Sequence, residues 1–234
     1  MPDLKNDSRV LVSITTTYGS DWRNKFREAN EQSITECALF PTTLSKEDRK
    51  EYFGLLEKSS IKSCPFVHLR SDMTVDEMDY LAENFGTKVF NTHCRAEYPR
   101  VSDWSKYADR IYIENVYHAF DPEEMKDWAG ICFDVSHLEN DRRQNPERFA
   151  KIVKALNQYP IGCNHISAVV DKIRINSEGE QRFDTHRFDN LSNFDYVKKF
   201  SKKHFSEFCA IEVVNTLEEQ LKAKKYIETL LAGI

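Results

Sequence analysis

Short runs rich in β-branched and aromatic residues recur along the chain, separated by amphipathic, charged stretches. This is the pattern of parallel strands joined by crossover helices. Eight runs stand out: Val10–Thr16, Ser33–Phe40, Ser63–His68, Lys88–His93, Arg110–Asn115, Gly130–Val135, Ile161–Ile166 and Glu207–Val213. Helix starts are signalled between them by Ser45 before Lys46-Glu47-Asp48, Thr74 before Val75-Asp76-Glu77, Asn145-Pro146-Glu147, and Thr216 before Leu217-Glu218-Glu219. Each places an acid in a first helical turn. The last stretch sets Leu217, Leu221, Tyr226 and Leu230 on a helical period and closes an outer ring. Ser102–Ala108 and Pro122–Ala129 have room for only about two helical turns each.

Eight such units in 234 residues, with no linker, composition shift or internal repeat, predict one (β/α)8 barrel domain spanning residues 1–234. An open doubly wound sheet is the alternative, but its glycine-rich dinucleotide loop is absent. A composition of 40% hydrophobic and 30% charged residues, with 7 Gly and 7 Pro, excludes low-complexity, collagen-like and disordered classes. The 33 basic against 38 acidic residues provide no global positive field for nucleic acid or an anionic membrane. No apolar run approaches the ~20 residues of a membrane span. Met1–Asp7 lacks a signal peptide's apolar stretch, so a soluble, cytoplasmic protein is expected. Six cysteines (Cys37, Cys64, Cys94, Cys132, Cys163 and Cys209) are scattered without a CxxC pair and read as reduced core thiols.

Chemistry in a parallel barrel gathers at the carboxyl ends of the strands. The third run ends in His68 and the fourth in His93, while the fifth carries Glu114. The sixth carries Asp134 with His137 just beyond, the seventh His165, and the eighth Glu212. Two residues earlier, on the same face, stand Phe66, Asn91, Tyr112, Cys132, Cys163 and Ala210. Of seven histidines, five (His68, His93, His137, His165 and His186) fall on this rim or in the loop after the seventh run, a concentration that random placement does not produce. Any one of these polar residues can be satisfied by a turn or a backbone donor. Together they repel one another or stay unsatisfied unless cations hold them. Mixed imidazole and carboxylate ligation suits zinc, manganese or iron better than calcium.

These residues give nearly the whole chain a resemblance to the xylose isomerase-like TIM-barrel superfamily, which includes sugar isomerases and epimerases and the endonuclease IV family. The shared core is Glu, Asp, His and Glu on the fifth to eighth strands, matched by Glu114, Asp134, His165 and Glu212, with the Asp-x-x-His spacing at Asp134 and His137. The endonuclease IV branch adds two histidines and an Asp-x-His, matched by His68, His93 and Asp184-Thr185-His186. That resemblance implies three ions: one on His68, His93 and Glu114, one on Glu114, Asp134, His165 and Glu212, and one on His137, Asp184 and His186. The same branch carries an IENTAG-like stretch and a GEG-like segment. Here Ile113-Glu114-Asn115-Val116-Tyr117-His118 and Arg187-Phe188-Asp189-Asn190-Leu191-Ser192 stand in their places, which puts DNA binding in doubt.

Two chemistries fit the rim. In an isomerase or epimerase, one divalent ion, zinc or manganese, chelates adjacent oxygens of a hydroxy-ketone sugar or sugar phosphate, while Glu114 and Glu212 exchange the proton as acid and base. In an endonuclease IV-like phosphodiesterase, three ions against Glu114, Asp134, Asp184 and Glu212 leave a positive surplus suited to DNA phosphate. A barrel that binds metal without catalysis is the third reading. The acidic charge and short loops favour the isomerase class. Lys172, Arg174 and Arg187 in the long loop after the seventh run are candidates for a substrate phosphate, and Tyr98, Trp104, Tyr117, His118 and Phe120 for pocket walls. Glu36 is either a substrate contact or the partner of a neighbouring arginine. The resemblance also admits a homo-oligomer.

Overall fold

In the computed structural model, which describes residues 9–176 and 179–234, the eight runs become eight parallel strands. They are β1 (Arg9–Leu11 and Ser13–Thr15), β2 (Ala38–Phe40), β3 (Phe66–His68), β4 (Val89–Thr92), β5 (Ile111–Glu114), β6 (Gly130–Asp134), β7 (Ile161–Ile166) and β8 (Phe208–Ile211). The Met1–Asp7 stretch lies outside the described residues. Relative to the apolar runs β7 keeps its bounds, β1 is shifted one residue toward the N-terminus, and the other strands are trimmed, β2 most of all, since Glu36 makes only an isolated bridge to Ser63.

The first strand closes the barrel by changing partners halfway. Its first segment pairs with β8 (Leu11 against Ala210) and its second with β2 (Ser13 against Ala38). A strand that changes partner leaves peptide groups unpaired at the step, and these need another partner. Gln220 supplies it: its Oε1 accepts the Ser13 N–H at 2.7 Å, and its Nε2 donates to the carbonyls of Ser13, Val213 and Asn215 at 3.1–3.2 Å. Ser13 Oγ donates to the Ile211 carbonyl at 2.5 Å and completes the seam.

Helices α1 (Trp22–Glu31), α2 (Lys46–Lys58), α3 (Val75–Phe85), α4 (Val135–Gln144), α5 (Pro146–Leu156) and α6 (Leu217–Ala232) lie outside the strands. Ser45, Thr74, Asn145 and Thr216 each cap a helix as their spacing predicts, with capping boxes at Thr74–Glu77 and Thr216–Glu219. The two short connections are 3₁₀ turns, Ser105–Arg110 and Glu124–Lys126, rather than two-turn α-helices. Ser105–Arg110 runs straight into β5 at Ile111. The segment after β7 is not a loop: it is an antiparallel hairpin, Ala168–Ile175 with Gln181–Thr185. No helix among the described residues is long and apolar enough to cross a membrane.

The barrel interior is filled by Leu11, Ala38, Phe40, Phe66, Val89, Cys132, Cys163, Phe208 and Ala210, with Tyr112 packed against them. Tyr112 needs Gly162 beside it, because a Cβ there would stand 2.0 Å from its ring. Two further clusters, one around Phe133 and Ile166 and one around Ile14 and Leu39, join the strands to the helices. All six cysteines are buried free thiols, as their scatter predicts.

Candidate metal centre

The inward residues at the carboxyl ends of β3 to β8 meet at one mouth. Glu114, at the end of β5, is its hub. One oxygen, Oε2, accepts from Asn91 Nδ2 at 2.9 Å and lies 3.0 Å from His68 Nε2 and 3.8 Å from His93 Nε2. The other, Oε1, lies 3.3 Å from His165 Nδ1 and 3.7 Å from His137 Nε2. Glu212 Oε2 approaches His165 Nδ1 at 3.4 Å and His186 Nε2 at 3.8 Å. Three candidate ligand groups share Glu114: His68–His93–Glu114, Glu114–Asp134–His165–Glu212, and Glu114–Cys132–His165, which overlaps the second at Glu114 and His165; in each the donor atoms lie mutually within 4.8 Å. His165 rests against the rings of Phe40 and Phe66, at centroid distances of 4.9 and 5.4 Å, so its position is set by the barrel floor.

Asp134 is both the last residue of β6 and the cap of α4. Its Oδ1 accepts the His137 N–H at 2.8 Å and the Ser136 hydroxyl at 2.5 Å, while Oδ2 has no hydrogen-bond partner. Both nitrogens of the fully buried His165 are likewise unpartnered. Buried polar atoms left open inside a set of carboxylates and imidazoles are what a divalent cation would complete. The donor set therefore fits a metal.

Electrostatics agree with the geometry. Burial alone would drive the proton off His165, but Glu114, Glu212 and Asp134 hold its pKa up at about 10. For Glu114, burial is opposed by His165, His68 and His93, which keep its carboxyl well below the usual range. Burial raises the Asp134 carboxyl, and it pushes His68 down against the pull of Glu114. Burial opposes the His137 imidazolium too, but Asp134 and Asp184 lift its pKa to about 9. Ring protons thus offset carboxylate charge in the metal-free cluster, and metal binding displaces such protons.

The remaining expected ligands, Asp184 and His186, do not form a third group with His137. His137 Nδ1 meets Asp184 Oδ2 at 2.6 Å, and His186 turns to Glu212. Arg182 occupies the space beside Asp184, with Nε 2.7 Å from Oδ1 and Nη2 2.7 Å from Oδ2.

A cavity of about 420 Å³ opens above the cluster, lined in part by His68, His93, Glu114, Tyr117, His186 and Glu212. Tyr98 forms part of its wall and tilts against His93 at 5.2 Å. An adjoining recess is lined by Arg174, Arg182, Asp184 and Arg187. Arg174 is paired with Asp189 at 3.3 Å, whereas Lys172 and His118 are exposed and line neither space. Trp104 is a core residue, its indole donating to the Met73 carbonyl at 2.9 Å, and Phe120 packs on the core around Phe133. Glu36 sits at the opposite end of the barrel, in a salt bridge with Arg9 at 2.5 Å, so it is an arginine's partner rather than a substrate contact.

Three contributors escape a reading of the sequence. Asn91 fixes Glu114, Glu97 faces His93 Nδ1 at 3.2 Å, and Arg182 pairs with Asp184. Each had a signal: Asn91 shares the inward face with its strand, Glu97 lies four residues beyond His93, and Arg182 is two residues before Asp184 on one strand face.

No family model and no curated protein matches the chain. Among solved structures the chain is similar to xylose isomerase-like TIM barrel proteins. One is a protein of that description from Mycobacterium smegmatis in complex with magnesium (12% identity, 91% of this chain and 88% of that one, TM-score 0.47). Another is a probable 3-DHS dehydratase from Bacillus anthracis involved in petrobactin synthesis (12%, 96% and 97%, TM-score 0.46). A third is a xylose isomerase domain containing protein from Salmonella typhimurium (13%, 97% and 97%, TM-score 0.44). These likenesses concern the path of the chain alone.

Proposed function

We propose that the protein is a divalent-metal-dependent isomerase or epimerase of a small sugar or sugar phosphate. The observation that carries this reading is the group Glu114–Asp134–His165–Glu212, buried at the foot of a cavity of about 420 Å³ with two glutamates among its ligand atoms. A zinc or manganese ion held by these four residues would polarise a substrate carbonyl and acidify the adjacent C–H. Glu212 and Glu114 would then take and return the proton, both carboxylates standing on His165 at 3.4 and 3.3 Å. His68 and Asn91 both engage Glu114 Oε2, at 3.0 and 2.9 Å, and so hold the carboxylate in one orientation. Tyr98 and Tyr117 wall the cavity and would exclude water from the reacting carbon.

A phosphodiesterase of the endonuclease IV type is the second reading, favoured by the His68–His93–Glu114 group, which could hold an ion beside the one on Glu114–Asp134–His165–Glu212. The test is solvent exchange. Hydroxy-ketone sugars and their phosphates, incubated with the manganese- or zinc-loaded protein in D2O, should gain deuterium at the carbon next to the carbonyl, read by proton NMR. Absence of exchange across such a panel, together with cleavage of a phosphodiester or of abasic-site DNA, would replace the isomerase reading with the second one.

A further inference from the structure

The recess beside the cluster contains a cation that belongs to the chain. Arg182 is 6% exposed, and its guanidinium makes a two-point contact with Asp184, Nε to Oδ1 and Nη2 to Oδ2, each at 2.7 Å. The same Nη2 lies 2.8 Å from His137 Nδ1, and the Tyr117 ring lies under the guanidinium at 5.4 Å. Its strand is held to α4 on both sides, by the Phe183 N–H on Asn140 Oδ1 at 2.9 Å and by Gln144 Nε2 on the Gln181 carbonyl at 2.8 Å. Arg182 therefore engages both oxygens of Asp184 and crowds the Nδ1 edge of His137. Both carboxylate oxygens that an ion on His137, Asp184 and His186 would draw from Asp184 are thus taken, and His137 Nε2 faces Glu114 and Asp134 instead, at 3.7 and 3.6 Å.

Charge points the same way. Five carboxylates converge here: Glu97, Glu114, Asp134, Asp184 and Glu212, each with a side chain less than a tenth exposed. Two divalent ions, one on His68–His93–Glu114 and one on Glu114–Asp134–His165–Glu212, together with the permanent charge of Arg182, balance them with every imidazole neutral. A third ion would leave the buried cluster with excess positive charge, which is costly in a desolvated site.

We propose that Arg182 is a resident cation in the place of a third metal ion, limiting the centre to two ions and leaving it neutral toward an uncharged sugar moiety. This rests on the reading of the cluster as a metal centre. Arginine suits the task because it stays protonated and matches a carboxylate with two parallel hydrogen bonds.

The experiment is metal counting with Zn²⁺ alone. The wild-type protein, Arg182→Ser, Arg182→Lys and Arg182→Ser/Asp184→Asn are saturated with zinc, freed of excess by gel filtration, and measured by elemental mass spectrometry. We expect two ions per chain in the wild type and in Arg182→Lys, three in Arg182→Ser, and two again in the double variant. If metal-free Arg182→Ser is unfolded by circular dichroism, zinc should refold it with three ions per chain; failure to do so overturns the proposal. Three ions in the wild type, or an unchanged count in folded Arg182→Ser, also overturns it while leaving the metal centre standing. No zinc in any of the proteins overturns both.

Discussion

Asp134 accepts the backbone N–H of His137 with one carboxylate oxygen, at 2.8 Å, and presents the other, which makes no hydrogen bond, to the imidazoles of His137 and His165 at 3.6 and 3.9 Å. One oxygen is structural and the other faces the donor set. Asn in place of Asp keeps a cap acceptor for α4 and removes the buried charge. Asp134→Asn should weaken zinc affinity by at least about tenfold yet leave the metal-free protein as stable as the wild type or more so, since burial disfavours that carboxylate. Competitive chelator titration and urea unfolding of the metal-free proteins check the two halves.

Glu212 Oε2 approaches His165 Nδ1 at 3.4 Å, and its carboxylate also lines the cavity. Glu212→Gln should lower turnover of the sugar substrate by at least about a hundredfold while leaving the far-UV circular dichroism spectrum unchanged. Wild-type turnover in this variant would remove Glu212 from the chemistry.

Lys25 on α1 is 2% exposed, with its ammonium donating to the Asn215 carbonyl. Burial lowers its pKa to about 8 from an ordinary value of 10.5. Between those values the unfolded chain binds the proton that the folded one has released, so this group makes stability rise with pH across that window. Relative to Lys25→Met, the wild type should gain about 2–3 kcal/mol between pH 7 and pH 10. The Asn215 carbonyl keeps Gln220 as a partner in the variant, so the comparison isolates the amine. Urea midpoints at the two pH values measure it, and parallel pH dependence in both proteins would refute it.

Gln220 is fully buried and is the partner of both Ser13 backbone groups. Gln220→Leu leaves that peptide without a partner in the seam and should cost about 2–3 kcal/mol, visible as a lowered urea midpoint with an unchanged m-value.

Much of this architecture was legible because parallel strands buried on both faces stand out as apolar runs, and because Ser45, Thr74, Asn145 and Thr216 carry capping chemistry in four consecutive residues. Helix α4 was not. Its residues Val135 to Asp141 are all buried although most are polar, so no amphipathic period marks it. The hairpin escaped for the opposite reason: Asp171 to Ile175 are exposed side by side, without the alternation of a half-buried strand. The rim residues His68, His93, Glu114, Asp134, His165 and Glu212 could be read because each lies at or next to the end of an apolar run. The role of Arg182 was not legible from its spacing to Asp184 alone, since it depends on a hairpin that folds it back over His137.

The Gln220 seam bears on how the protein is made. The first strand obtains its last partners from β8 and α6, more than 190 residues later in the chain. A nascent polypeptide still lacking α6 holds most of the ligand rim but has no closed wall to press it together, and such distant pairings form slowly. Closure of the wall around the rim therefore waits for α6.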